Sequence, residues 1–127
     1  MEIVLYPGDD DVTGPKAVWP RARFLAFRRW LAQAEGFVLD EMDGFGGQRP
    51  WSDVSTPLAP FLDHPDDDGP DLTPPQCAAV QARLAEIADR WSEGGDDPVV
   101  RRHIDDARQL VVVLRCCVEK DVDLFFY

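Results

Sequence analysis

The stretch TPPQCAAVQARLAEIADRWSEGGDDPVVRRHIDDARQLVVVLRCCVEK, residues 73–120, decides the fold. It opens on Thr73-Pro74-Pro75-Gln76. Threonine caps free N–H groups, proline suits a first helical turn, and glutamine sits where a side chain bonds back to the cap. Cys77, Val80, Leu84, Ile87 and Trp91 then recur at spacings of three and four, which marks one buried helix face. Gly94-Gly95 stops that helix, and Asp97-Pro98 starts another as cap and first residue. Val100, Ile104, Ala107, Val111, Leu114 and Val118 form its stripe, which ends near Lys120. So short a connection predicts an antiparallel helical hairpin.

Outward from the hairpin the signals weaken. A first helix is expected from about Pro20 to Glu35, stopped by Gly36, with Phe24, Phe27, Leu31 and Ala34 facing inward. Arg21, Arg28 and Arg29 point away from that stripe as a basic face, and Trp30 lies half-buried beside it. Residues 37–72 are irregular, with one short helix expected between Asp53 and Leu62 and a flexible turn at Gly44 to Gly47. Phe37, Leu39, Met42, Phe45, Trp51, Leu58, Phe61 and Leu62 are too many apolar anchors for disorder, so this segment reads as an ordered loop packed on the core. Residues 2–6 and 122–127 read as strands. A two-stranded ribbon is marginal alone, so the two strands are expected to pair against the helices. The expectation is a single domain over 1–127: α+β, mainly helical, with three principal helices and a small sheet from the N- and C-terminal strands.

Charge is the feature that bears on function. The chain carries −11 in 127 residues. Val12 to Ala34 holds no acid but contains Lys16, Arg21, Arg23, Arg28 and Arg29. The acids gather at Asp9-Asp10-Asp11, Asp63 to Asp71, and Glu93 to Asp97. Phosphate contacts need Lys and Arg, so this balance disfavours nucleic acid. A hydrophobic content of 45% with four Trp argues for a folded core despite the charge. Three cysteines, two of them the adjacent Cys116 and Cys117, make a poor disulfide framework. Residues 1–6 do not read as a secretory signal, and Leu110 to Leu114 is far too short an apolar run for a bilayer. The expected location is the cytoplasm.

No reaction motif stands out. With Gly69 at the sixth position of a calcium loop, Asp66 and Asp68 fall at positions three and five, but His64 falls at one and Pro75 at twelve. His64 and His103 have no histidine partner at helical spacing, and no Cys-x-x-Cys is present. His103 is expected to hydrogen-bond a helix-neighbour carboxylate such as Asp106. Cys77 fits the core stripe, and at most one of Cys116 and Cys117 can share its helix's stripe, being about 100° apart.

Leu62-Asp63-His64-Pro65-Asp66-Asp67-Asp68-Gly69-Pro70-Asp71-Leu72-Thr73-Pro74-Pro75-Gln76-Cys77 resembles a segment of small actinobacterial and phage-associated proteins of unassigned function. Their shared pattern is a Leu-x-His-x-Asp turn, a Gly, and a proline-started helix bearing a Cys. The resemblance runs from Phe27-Arg28-Arg29-Trp30 to about Leu84. It implies that His64, Asp66 and Gly69 belong to one hydrogen-bonded turn, and it implies no activity.

The functional expectation is a non-enzymatic acidic binding or inhibitory protein, immunity- or phage-inhibitor-like, that engages a basic protein partner without a cofactor. Asp9, Asp10, Asp11, Asp66, Asp67, Asp68 and Asp71 are its expected contact residues. One alternative is a metal-dependent enzyme or metal-binding protein centred on His64, Asp66 and Asp68. Another is an accessory subunit or homodimer whose Arg21, Arg28 and Arg29 face packs on a neighbour's acidic loops.

Overall fold

Two long helices, α3 (Pro74–Ser92) and α4 (Pro98–Lys120), pack antiparallel as the hairpin. The computed structural model describes residues 2–8, 14–63, 71–93 and 97–126. Thr73 Oγ1 accepts from the Gln76 N–H at 3.5 Å, and Gln76 Oε1 accepts from the Thr73 N–H at 3.0 Å, so the capping box is complete. Asp97 Oδ1 accepts from the Val99 N–H at 2.9 Å. Each cap satisfies N–H groups that the helix itself cannot. From α3, Cys77, Val80, Leu84, Ile87 and Ala88 are buried.

The buried face of α4 is broader than the expected stripe. It includes His103, Asp106, Leu110, Val113 and Cys117, whereas Val118 is exposed. The reason is position: α4 meets α3 on one side, and β1, β2 and α1 on the other. Trp91, expected inside, is 39% exposed. It lies in the last turn of α3, where its ring meets Trp30 edge-on at 5.8 Å.

The sheet has three strands in the order β2-β1-β3: β1 (Glu2–Pro7), β2 (Ala17–Pro20) and β3 (Leu124–Phe126), both pairings antiparallel. The expected terminal strands do pair, but β2 was not anticipated. Four residues ending in proline are too short to show alternation. In register, Ile3 faces Trp19, Leu5 faces Ala17 and Pro7 faces Leu124, and all six are buried. Leu72 pairs with Leu124 through two backbone hydrogen bonds of 3.2 and 2.9 Å, covering the outer edge of β3.

Helix α1 (Arg21–Ala34) follows β2 directly and ends at Glu35 and Gly36, where φ of +88° suits glycine. Its Phe24, Phe27, Trp30 and Leu31 are buried, so Trp30 sits deeper than expected. Residues 37–63 form an ordered covering with 3-10 turns at Leu39–Glu41 and Trp51–Asp53 and a short helix α2 (Ala59–Leu62). Phe37, Leu39, Met42, Leu58, Phe61 and Leu62 reach the core as read, while Phe45 and Trp51 are partly buried against it.

The turn at Gly44 to Gly47 is tight rather than flexible. A Cβ at Gly47 would stand 2.0 Å from the Glu41 carbonyl oxygen. The chain closes there through Arg49 N–H to Glu41 O at 3.0 Å and Asp43 N–H to Arg49 O at 2.9 Å. Gly47→Ala is therefore expected to cost about 1–3 kcal/mol, as overpacking does. Urea unfolding followed by tryptophan fluorescence checks it. An unchanged midpoint would show that this turn yields freely.

Candidate functional site

Of the residues expected to contact a partner, Asp9, Asp10, Asp11, Asp66, Asp67 and Asp68 lie outside the described residues, as does His64. Asp71 is described and exposed, one residue before the Leu72–Leu124 bridge. Asp63, also exposed, closes α2. These two carboxylates stand at either end of segment 64–70, yet together they line one cavity of about 300 Å³ with Ala59, Pro60 and Gln76. The helix start at Thr73 and the end of α2 thus bring both flanks of the acidic run to one place.

Partial burial pushes the Asp63 carboxyl above its usual range, and the charge of Asp43 pushes the same way. Both effects disfavour the charged carboxylate, and a nearby cation would oppose them. The sequence points to Asp71 as a contact residue, to Asp63 only as the start of the acidic run, and not to Asp43. Asp63 begins the acidic run, but nothing local signals the approach of Asp43 across the loop.

Of the basic face expected on α1, one residue turns inward. Arg28, expected to point outward, is 4% exposed, with its guanidinium 4.4 Å over the Phe24 ring and 5.4 Å from that of Phe45. Burial lowers its pKa to about 10, which leaves it cationic at neutral pH. Phe45 arrives from the 42–49 turn, so a long-range fold-over buries a residue whose helical spacing marks it as surface. Arg23 binds Asp106 of α4, Nε to Oδ2 at 3.0 Å and Nη2 to Oδ1. Arg29, exposed as expected, reaches Asp40 at 3.1 Å, and Arg21 is half-buried. Further solvent-facing bases lie on α4, where Arg101, Arg102, Arg108 and Arg115 alternate with Asp105 and Glu119. That spacing is legible in the sequence.

Glu35, just past α1, forms a second polar knot. It accepts from Thr56 Oγ1 at 2.5 Å and from Arg83 Nε at 2.7 Å, and Arg83 also holds Glu86 at 2.9 Å. A small polar cavity of about 150 Å³ adjoins it, lined by Arg49, Asp53, Ser55 and Thr56 among others. Because the Glu35 carboxylate is already bound twice, its role there is to tie α1 to α3 rather than to move protons.

His103 does not bond Asp106, which Arg23 occupies. Its ring stacks on Trp30 at 5.4 Å and lies 6.2 Å from Phe27. The buried His103 Nδ1 and Trp30 Nε1 have no hydrogen-bond partner among the described residues. Burial lowers the His103 pKa from 6.5, and Arg102 and Arg23 act in the same direction against Asp106 and Asp97. The unfolded chain therefore binds the extra proton first. This contribution to stability is intact above about pH 6.5 and falls as pH drops toward the folded-state pKa. His103→Phe keeps the stacking and removes the titration. Relative to that variant, the native chain is expected to lose stability between pH 7.5 and 5.5 in urea unfolding. A constant difference would contradict this origin.

Among the described residues, no three His, Cys, Asp or Glu side chains come together to hold a metal ion, and no helix is long and apolar enough to cross a membrane. Compared with protein-family models, curated proteins and solved structures, the chain matches none.

Proposed function

We propose that this chain is a non-enzymatic binding protein that engages a basic protein partner through its acidic segments. The observation that supports this reading most is the cavity between Asp63 and Asp71. An aspartate whose charge is already disfavoured by burial and by Asp43 gains from an incoming lysine or arginine. The burial of Arg28 and the pairing of Arg23 with Asp106 add to it, because neither base is left to offset the surface acids. Asp9, Asp10, Asp11, Asp66, Asp67 and Asp68, outside the described residues, add to the same negative charge. Complementary fields of this kind speed association and reject partners of like charge.

Calorimetric titration with an oligo-arginine peptide, at low salt and again near 0.3 M, tests the reading. Binding is expected at low salt and should weaken steeply as ions screen the interaction over roughly 10 Å or less. Asp63→Asn combined with Asp71→Asn should weaken it about tenfold. Binding that ignores salt, or no heat at either ionic strength, would sink the proposal.

A further inference from the structure

All three cysteines are free thiols, and two of them meet. Cys77 stands in the first turn of α3 and Cys117 in the last turn of α4, ends that the antiparallel hairpin brings level. Both are fully buried, and Cys117 is the side chain that acts most strongly on the Cys77 thiol. The Cys77 sulfur lies 3.7 Å from the Leu72 carbonyl oxygen, and the Cys117 sulfur lies 3.8 Å from that of Asp123. The Leu72 carbonyl belongs to the Leu72–Leu124 bridge and that of Asp123 immediately precedes it, so the pair sits beside the latch that holds β3. Cys116, half-buried, projects from the neighbouring side of α4.

A single buried thiol packs as a small hydrophobe. Two in mutual contact across different helices make a different object, because a disulfide needs Cβ atoms only about 3.5–4.5 Å apart. We propose that Cys77 and Cys117 form a reversible thiol–disulfide pair whose oxidant is a low-molecular-weight disulfide of the glutathione type. One thiolate of the pair attacks a sulfur of the small disulfide and forms a mixed disulfide, releasing one small thiolate. The other cysteine's thiolate displaces the second small thiolate and closes the Cys77–Cys117 bond. Two protein thiols are oxidised, the small disulfide is reduced to two thiols, and the two protons pass to the released thiolates.

Cys77 is the better first nucleophile. The hydrogen bond with Cys117 draws its thiol below the ordinary range, against the opposing effect of burial. Access comes from local opening of β3, which is three residues long and rests on the thiol pair through the Asp123–Leu124 backbone. The cross-link would tie the first turn of α3 to the last turn of α4 and close the hairpin into a loop. It restricts the unfolded chain far more than the folded one. The pair adjoins the acidic cavity at the start of α3, where Cys77 follows Gln76, but it uses different groups, and each reading survives the failure of the other.

The test incubates the full chain with oxidised glutathione, quenches with acid, alkylates under denaturing conditions and maps peptides without reduction. The expected product is a Cys77–Cys117 disulfide with Cys116 alkylated. Tm should rise by about 10 °C and return on treatment with dithiothreitol. Cys116→Ala should behave like the native chain, whereas Cys77→Ala and Cys117→Ala should each abolish the shift. The proposal is overturned if glutathione settles on Cys116 while Cys77 and Cys117 are both alkylated. Full alkylation of all three after prolonged incubation overturns it equally. The peptide map of the unsubstituted chain decides even if a variant fails to fold.

Discussion

Phe27→Ala is expected to destabilise the fold by about 4 kcal/mol, within the usual range for a buried phenylalanine. The Phe27 ring lies 5.4 Å from that of Trp19, 6.2 Å from Trp30, 6.4 Å from Phe61 and 6.2 Å from His103. It therefore touches β2, α2 and α4 from α1. Removing it opens a cavity bounded by four elements, none of which can collapse inward without leaving another. Domains of this kind are stable by roughly 5–15 kcal/mol, so the variant would show visible unfolding near 37 °C. Phe27→Leu, which retains most of the volume, should cost about 1.5 kcal/mol or less. Guanidinium unfolding followed by circular dichroism measures both. A loss below about 1.5 kcal/mol for the alanine variant would mean that the aromatic cluster is not where the layers are joined.

Arg23→Met is expected to cost about 3 kcal/mol. The Asp106 side chain is 2% exposed and bound to Arg23, whose own side chain is 35% exposed. Truncating the accessible partner strands a carboxylate that water does not reach, and breaking such pairs costs roughly 3–5 kcal/mol. Water around the guanidinium places the expected loss at the lower end. The double variant Arg23→Met with Asp106→Leu should recover most of it, because an apolar pair can replace a buried ion pair. Denaturant midpoints of the two single variants and the double give the coupling. If Arg23→Met costs under 1 kcal/mol, the pair behaves as an exposed surface bridge and does not fasten α1 to α4.

Local chemistry made the hairpin readable. Thr73, Gln76 and Asp97 cap where their spacing places them, and the apolar face of α3 holds until Trp91. What sequence spacing could not supply was the set of elements that α4 would meet. A helix enclosed on two sides buries His103 and Asp106, residues that a one-sided stripe assigns to solvent or to each other. Arg28 follows the same logic, since only the fold-over of Phe45 covers it. β2 was lost because four residues carry no periodicity. The acidic run from Asp63 to Asp71 was plain as composition. That Asp63 and Asp71 share one cavity depends on where α2 ends and α3 starts, which composition does not encode.

Two pairs of carboxylates of equal charge distinguish a located site from a general acidic field. Asp63 and Asp71 line the cavity, while Asp105 and Glu119 lie exposed on α4. The most direct measurement compares oligo-arginine affinity at one fixed low salt for Asp63→Asn/Asp71→Asn and for Asp105→Asn/Glu119→Gln. Each double variant removes the same charge. If the cavity receives a basic partner, the first loses about tenfold in affinity and the second less than about threefold. Equal losses would reduce the interaction to net charge and contradict a binding site between Asp63 and Asp71.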